Sequence, residues 1–141
     1  MGKIILISCV SKKLDKIATA SELYLSPLFK LSYQYAQYLR PDGIFILSAK
    51  YGLLSPTAQV EPYNLTLNEM SLKEVRRWSE KVMEQLRTIT NPENDHYVFL
   101  AGERYRKHLI PHLKNYEVPM QGLTIGRQLQ YLKKQVTNES V

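Results

Sequence analysis

The sequence predicts an α/β fold, specifically a three-layer α/β/α sandwich with a small, mainly parallel sheet. Three short apolar segments rich in β-branched or aromatic residues are typical of strands buried on both faces: Lys3–Ser8, Gly43–Ser48 and His96–Ala101. Helical patterns separate these segments, and strands that alternate with helices favour right-handed crossovers and parallel pairing. The length of 141 residues suits one ordinary domain. We therefore expect a single domain over residues 1–136 and a short C-terminal tail over residues 137–141.

The first helix is predicted to start at Ser26 and Pro27, which supply an N-cap and a proline at the first helical position. Apolar residues recur at helical spacing from Leu28 to Leu39. The Pro-Asp-Gly sequence at residues 41–43 should end this helix just before the second strand.

Four further elements are predicted in the second half of the chain. Residues 71–74 form a capping box, and an apolar stripe at helical spacing follows it. Residues 103–113 favour a shorter helix disturbed by Pro111, and residues 126–136 favour a final helix. Residues 116–120 are a candidate edge strand.

The connection from Lys50 to Met70 is about twenty residues long and shows no clear periodicity. Loops of this length in compact domains are usually functional or disordered. Because this one contains apolar and aromatic residues, we expect an ordered, functional loop.

Composition favours an anionic partner. Lys and Arg number 19 against 13 Asp and Glu, which gives a formal net charge of +6 spread along the chain without a basic tail. Such a charge attracts nucleotides or nucleic acid but does not choose between them. The single cysteine excludes an internal disulfide, so we expect a cytoplasmic protein. No apolar run is long enough to span a bilayer, so no membrane partner is expected, and the oligomeric state is left open.

The ends of the three predicted strands are the candidate site, because open α/β sheets bind ligands outside the carboxyl ends of parallel strands. Each strand ends in small or polar residues, and the tyrosines nearby can stack on a base. A cleft with cations at its rim and tyrosines inside fits a phosphate-bearing nucleotide or an exposed base. The predicted ligand-binding residues are Ser8, Cys9, Ser11, Lys12, Lys13, Tyr24, Ser48, Tyr51, Gly52, Tyr63, Gly102, Tyr105 and Gln128.

The same segments carry a resemblance to a known family. The motifs are Ser8-Cys9-x-x-Lys12-Lys13, Glu22-Leu23-Tyr24, Leu47-Ser48-Ala49-Lys50-Tyr51-Gly52-Leu53, Glu61-Pro62-Tyr63, Ala101-Gly102-x-x-Tyr105 and Gly126-x-Gln128-Leu129. In this order they resemble a family of small bacterial and phage proteins of unknown function, DUF6884. The resemblance covers nearly the whole chain, as far as Leu132.

A more distant similarity links the Leu-Ser-x-x-Tyr-Gly-Leu and Pro-Tyr motifs to the peroxide-stress protein YaaA and to the uracil-DNA-glycosylase-like part of archaeosine tRNA-modifying enzymes. That similarity implies contact with nucleobases or nucleic acid. The phage members of the family make a role against host defence a candidate. The residue after Pro-Tyr is often acidic in the family, whereas this chain has Asn64.

Four residues are catalytic candidates, each with a plainer alternative. Lys50 can neutralise a phosphate or a leaving base, or be a solvated loop lysine. Glu61 and Glu103 can each orient water or stabilise an oxocarbenium ion at an N-glycosidic bond. Alternatively, Glu61 is a loop residue and Glu103 a favourable first-turn charge. Asn64 can bind a base edge or a water, or simply form a turn.

Several binding candidates also keep two interpretations. Cys9 is either a nucleophile with a lowered thiol pKa or a small apolar filler. Of the tyrosines Tyr24, Tyr51, Tyr63 and Tyr105, we expect two to contact the ligand. Gln128 either contacts a base edge or is an exposed helical residue.

The three histidines show no metal-binding spacing, and the sequence predicts neither a metal nor a cofactor. The leading hypothesis is an enzyme that hydrolyses an N-glycosidic bond in a nucleotide, a cyclic nucleotide signal or nucleic acid. The alternatives are a non-catalytic protein that sequesters a nucleotide signal, and a DNA- or RNA-binding protein.

Overall fold

The structure, a computed structural model, describes residues 2–8 and 13–139 as a mixed α/β fold with one central sheet. In chain order the elements are β1 (Lys3–Ser8), β2 (Ala18–Thr19), α1 (Ala20–Leu23), α2 (Pro27–Tyr38), β3 (Gly43–Ser48), β4 (Gly52–Leu54), β5 (Gln59–Val60), a 3₁₀ turn (Leu67–Glu69), α3 (Leu72–Ile89), β6 (His96–Leu100), α4 (Glu103–Arg106), a 3₁₀ turn (Ile110–His112), β7 (Asn115–Glu117) and α5 (Ile125–Glu139).

The central sheet has the strand order β4-β3-β1-β6-β7. β1 pairs in parallel with both β3 and β6, β6 pairs in parallel with β7, and β4 is an antiparallel edge strand. The register places Ser8 beside Leu47 and Ile7 beside Leu100. The predicted mainly parallel sheet is therefore confirmed, and the three predicted strands form its centre.

Helices cover both faces of the sheet, which confirms the predicted three layers. Alternate residues of β1 point to opposite faces, as the period of a strand requires. Ile5 and Ile7 pack in one core cluster with α2 and α5, whereas Ile4 and Leu6 pack in another with α3 and α4. β1 is hydrophobic along its whole length because both of its faces are covered.

The predicted helix starts are confirmed. The Ser26 hydroxyl accepts a hydrogen bond from the Phe29 N–H, and Pro27 is the first residue of α2. At α3, the Ser71 hydroxyl accepts from the Glu74 N–H while the Glu74 carboxylate accepts from the Ser71 N–H. This reciprocal pair satisfies two backbone donors that a helix start leaves unpaired.

Three predicted segments differ in detail. The helix predicted over residues 103–113 is divided into α4 and a 3₁₀ turn, because Pro111 has no N–H to continue an α-helix. The final helix extends to Glu139, and β7 lies at Asn115–Glu117 rather than at residues 116–120.

The Lys50–Met70 connection is ordered, as predicted. It contains β4, the short strand β5 and a 3₁₀ turn, and β5 pairs with β2 in a separate two-stranded sheet. Strands of two residues leave no period in the sequence, so β2 and β5 could not be predicted. Among the described residues, no helix combines the length and apolarity needed to cross a membrane.

Candidate functional site

The connections that leave β1 and β6 run to opposite faces of the sheet. The chain after β1 leads to α2, which packs on the face with Ile5 and Ile7, whereas β6 leads into α4, which packs on the face with Leu6. Because β1 and β6 are neighbours, their carboxyl ends form a topological switch point. In open α/β sheets such a point is where a crevice opens and ligands bind.

A cleft of about 480 Å³ opens at this switch point. Its volume lies within the range of about 300–1,000 Å³ that is typical of small-molecule sites. We call it the switch-point cleft. It is lined by Ser8, Ser26, Pro27, Leu28, Phe29, Ser32, Asn68, Leu100, Ala101, Gly102, Glu103, Arg104, Tyr105, Met120, Ile125, Gln128 and Leu129.

A hydrogen bond joins the two strand ends at the floor of the cleft. The Gly102 N–H donates to the Ser8 hydroxyl over 3.1 Å. A Cβ added to Gly102 would meet no atom of the described residues within 4 Å, so these residues leave the space in front of its backbone open. A ligand atom can therefore approach the Gly102 backbone closely, as the sequence predicts.

Arg104 and Tyr105 tie the long connection to the cleft. The Arg104 guanidinium donates to the Leu67 carbonyl through Nε at 3.0 Å and to the Met70 carbonyl through Nη2 at 2.7 Å. The buried Tyr105 hydroxyl accepts from the Leu67 N–H at 3.4 Å. These bonds hold the end of the Lys50–Met70 connection against α4, and they fix a cation at the cleft rim.

Five of the predicted binding residues that lie outside the cleft lining form a second group, which we call the tyrosine cluster: Lys13, Tyr24, Ser48, Tyr51 and Tyr63. The Tyr63 hydroxyl is its centre, 2.7 Å from the Tyr24 hydroxyl and accepting from the Ser48 hydroxyl at 2.9 Å. Ser48 in turn accepts from the Tyr51 N–H at 3.0 Å. The Lys13 ammonium lies 4.4 Å from the centroid of the Tyr63 ring, in cation–π geometry.

Trp78 and Phe29 connect the tyrosine cluster to the switch-point cleft. The Trp78 indole N–H donates to the Ser48 carbonyl at 2.8 Å, and its ring packs edge-on against Tyr105 at 5.5 Å between centroids. Phe29, in the cleft wall, lies 5.0 Å from the Tyr24 ring. The cluster thus borders the cleft and supports two of its wall residues.

The predicted catalytic residues are separated by the fold. Glu103 lines the cleft, whereas Lys50, Glu61 and Asn64 are exposed and lie outside its described lining. The Lys50 ammonium lies 5.3 Å from the Tyr51 ring centroid and forms no ion pair with a described carboxylate. Glu61 contributes only its backbone carbonyl, which accepts from the Tyr51 hydroxyl at 3.4 Å.

The predicted binding residues are likewise divided. Ser8, Gly102, Tyr105 and Gln128 line the cleft. Of the four predicted stacking tyrosines, only Tyr105 belongs to the described lining. Three further predictions, Cys9, Ser11 and Lys12, lie outside the described residues.

Gly52 has a conformational part in the fold. Its φ of +78° lies in the left-handed region, and a Cβ there would lie against the Gln85 carboxamide oxygen. That oxygen accepts from the Leu53 N–H at 2.9 Å. The glycine thus allows the tight turn between β3 and β4.

Within residues 2–8 and 13–139, no group of three His, Cys, Asp or Glu side chains has the arrangement of a metal site. Among the described residues that line the cleft, Arg104 carries the positive charge and Glu103 carries the carboxylate.

A comparison with protein-family models matches residues 4–134 to a family of unknown function, DUF6884. The chain belongs to this family. No curated protein matches the chain. The DUF6884 match runs from β1 into α5, so both strand ends and every described residue of the cleft lining belong to the family domain.

Among the residues of the DUF6884 cleft that the sequence analysis did not single out as site residues, Arg104 and Ser32 carry polar groups that bear on its chemistry. Arg104 lies inside the quoted Ala101–Tyr105 motif, and its charge beside Gly102 was the available signal. Ser32 occupies a position between Phe29 and Tyr35 on the buried face of α2. A hydroxyl at a buried position of an otherwise apolar stripe is a signal for a polar site that periodicity alone does not reveal.

Proposed function

We propose that the protein binds a nucleotide in the switch-point cleft and hydrolyses its N-glycosidic bond. The observation that carries this proposal is the cleft itself, which opens between the carboxyl ends of β1 and β6 and combines apolar walls with a few polar groups. Sites of this kind are the usual position for nucleotides in open α/β sheets.

The rim of the cleft suits a phosphate. Arg104 is held there by two backbone carbonyls, and it forms no ion pair with any described carboxylate. Its charge is therefore available to an anionic ligand group. The open backbone at Gly102 and the net charge of +6 also favour an anionic ligand.

The walls suit a base. Phe29, Met120 and Leu129 provide apolar surface from three different segments, and Tyr105 adds an aromatic ring. Bases bind such surfaces by stacking and apolar contact, which tolerate any ring. Polar side chains among them then determine which base is preferred.

Glu103 is the candidate carboxylate for this chemistry, because it belongs to the described cleft lining. In the proposed reaction a water molecule attacks C1′ of the sugar, and Glu103 orients that water and stabilises the positive charge that develops on the sugar. The bond between C1′ and the base nitrogen breaks, and the base leaves with a proton. The products are the free base and the sugar phosphate.

The test is incubation with nucleoside monophosphates, cyclic dinucleotides and oligonucleotides, followed by chromatography for free base. The wild-type protein should release base, and Glu103→Gln should slow release by a factor of about 10² or more. Glu80→Gln, which changes an exposed glutamate of α3, is the matched control and should keep the wild-type rate. Absence of free base across the panel would overturn the hydrolysis proposal.

A sequestering protein is the second candidate, because Glu103 also lies in the first turn of α4, where a negative charge is favourable without any catalytic role. A nucleotide that raises the melting temperature and is recovered intact after denaturation would support this function. Such a protein would suit a phage that removes a host nucleotide signal.

Binding of DNA or RNA is the third candidate, favoured by the net charge of +6. It predicts that the protein retards duplex and single-stranded nucleic acid in gel electrophoresis, and that this retardation weakens steeply with added salt. Arg104→Ala should abolish mononucleotide binding but leave diffuse nucleic-acid binding nearly unchanged, because one cation among 19 carries little of that charge.

A further inference from the structure

We infer that Ser32 and Gln128 form the base-reading part of the switch-point cleft and bind a base edge that presents an N–H donor beside a hydrogen-bond acceptor. The inference rests on the proposed nucleotide site and deepens it, since it names the class of base. It depends on two polar side chains, each of which has one hydrogen-bonding atom that no described residue bonds to: the Ser32 hydroxyl and the Gln128 Oε1 oxygen.

Ser32 is the first of these groups. It is only 2% exposed, it lines the cleft, and its hydroxyl has no hydrogen-bond partner among the described residues. No fully buried side-chain oxygen or nitrogen of the described residues lacks a hydrogen-bond partner. The unpartnered Ser32 hydroxyl is therefore not fully buried, and it reaches solvent through the cleft that Ser32 lines. A polar ligand atom that enters the cleft can therefore bond to this hydroxyl, which no described residue does.

Gln128 is the second group. Its Nε2 donates to the Leu123 carbonyl at 2.9 Å. Because a carbonyl accepts only from the nitrogen of the amide, this bond fixes the orientation of the side chain. The Oε1 oxygen has no described partner and is the part of the amide that remains as an acceptor.

The fold places these two side chains on neighbouring helices. Ser32 is on α2 and Gln128 on α5, and the two helices pack against each other through residues such as Tyr35 and Tyr131, whose ring centroids are 6.1 Å apart. Apolar wall residues surround the pair, including Phe29 and Leu129. Hydrogen bonds from a ligand to this pair would form beside apolar walls, where a missing partner costs more than in open water.

The chemistry of the pair determines what it recognises. An acceptor at Gln128 requires an N–H donor on the base, and the Ser32 hydroxyl can donate to an adjacent ring nitrogen. Adenine and cytosine present this combination of amino group and ring nitrogen. A base edge without an N–H donor, such as that of purine, leaves the Gln128 acceptor unpaired, and a site built for hydrogen bonds rejects such an analogue strongly.

The test measures binding of AMP, CMP and purine riboside 5′-monophosphate, which differs from AMP only in lacking the amino group. Binding is measured by calorimetry in the Glu103→Gln background, so that bound nucleotide stays intact. We expect AMP to bind about tenfold more tightly than the purine analogue. Gln128→Leu should reduce this ratio to within about twofold. Ser32→Ala should weaken the binding of AMP and of the purine analogue alike, by about fivefold, because both carry the ring nitrogen.

Matched controls separate recognition from folding. Ser79→Ala removes a buried hydroxyl that bonds to the Val75 carbonyl on α3, and Gln130→Leu changes an exposed glutamine of α5. Both controls should keep the wild-type preference. A merely structural role for Gln128 would lower the melting temperature and leave the ratio unchanged. A merely structural role for Ser32 would lower the affinity of Ser32→Ala only together with its melting temperature.

The outcomes distinguish the two proposals. Three results overturn the inference and leave the nucleotide site standing: no preference for AMP over the purine analogue, an unchanged preference in Gln128→Leu, or an unchanged affinity in Ser32→Ala. Absence of binding by every nucleotide overturns the proposed function, and this inference with it.

Discussion

Single backbone and hydroxyl groups do much to shape the switch-point cleft. The Ser8 hydroxyl joins β1 to β6, and the Gly102 backbone leaves open space in front of it. The sequence predicted both residues as binding residues because each ends a strand. It could not predict that they are hydrogen-bonded to each other, since 94 positions separate them.

Gly102→Ala tests whether a ligand approaches this backbone. The backbone angles, φ −64° and ψ 159°, suit any residue, and the added methyl group meets nothing within 4 Å. We therefore expect unchanged stability but nucleotide affinity lowered about tenfold or more, because the methyl group occupies ligand space. Thermal melting and calorimetry measure the two effects. Equal affinity in the variant would show that no ligand atom approaches Gly102.

Tyr63→Phe tests the centre of the tyrosine cluster. The change removes the hydroxyl that accepts from Ser48 and bonds to Tyr24, and it leaves the buried Ser48 hydroxyl without that acceptor. We expect a loss of about 1–3 kcal/mol in the free energy of unfolding, measured by denaturant titration. Tyr33→Phe is the control, because the Tyr33 hydroxyl has no hydrogen-bond partner among the described residues. Equal stabilities of the two variants would contradict the structural role of the cluster.

At the scale of elements, local signals predicted the start of α3 and the three central strands. The capping box at Ser71 is a short-range pattern that acts without the rest of the chain. The turn between β3 and β4 was less predictable. The sequence predicts its glycine, Gly52, as a ligand contact. The structure gives this glycine a positive φ and a neighbouring side chain, Gln85, that the sequence does not place there.

Gly52→Ala should destabilise the β3–β4 turn. The alanine must adopt φ +78°, and its methyl group displaces the Gln85 amide that holds the Leu53 N–H. We expect a loss of about 1–3 kcal/mol in the free energy of unfolding. Gly126→Ala is the control, because this residue lies in α5 with open space around its Cα, and it should stabilise by about 0.5–1 kcal/mol. Equal changes in the two variants would show that the turn tolerates a side chain.

At the scale of the whole molecule, two titrating groups should make the protein less stable in acid. Hydrogen bonds from the Ser71 backbone and hydroxyl lower the pKa of the Glu74 carboxyl below its ordinary value. Burial lowers the pKa of His108, and the charges of Arg76 and Lys107 lower it further. In both cases the unfolded chain binds the proton more readily, so stability rises with pH across the shifted range.

The two groups act in different pH ranges. The neutral form of His108 is favoured in the folded state, so stability falls as the pH drops below the ordinary histidine value of 6.5. The Glu74 stabilisation is present above the ordinary value of 4.5 and is lost as the pH falls through the lowered pKa. In His108→Gln, the melting temperature should decrease less than in the wild type between about pH 7 and 5. In Glu74→Gln, it should decrease less than in the wild type below about pH 4.5.

The sequence by itself determined which segments become the central strands and principal helices, and that small and polar residues lie at the strand ends. These properties depend on neighbouring residues, through hydrophobic period, capping and proline chemistry. The strand order and the faces taken by α2 and α4 were decided only by tertiary structure, because they depend on packing between residues far apart in the chain. That packing brings Gly102 to Ser8 and Gln128 to the cleft, and it leaves Lys50 and Glu61 outside the described lining.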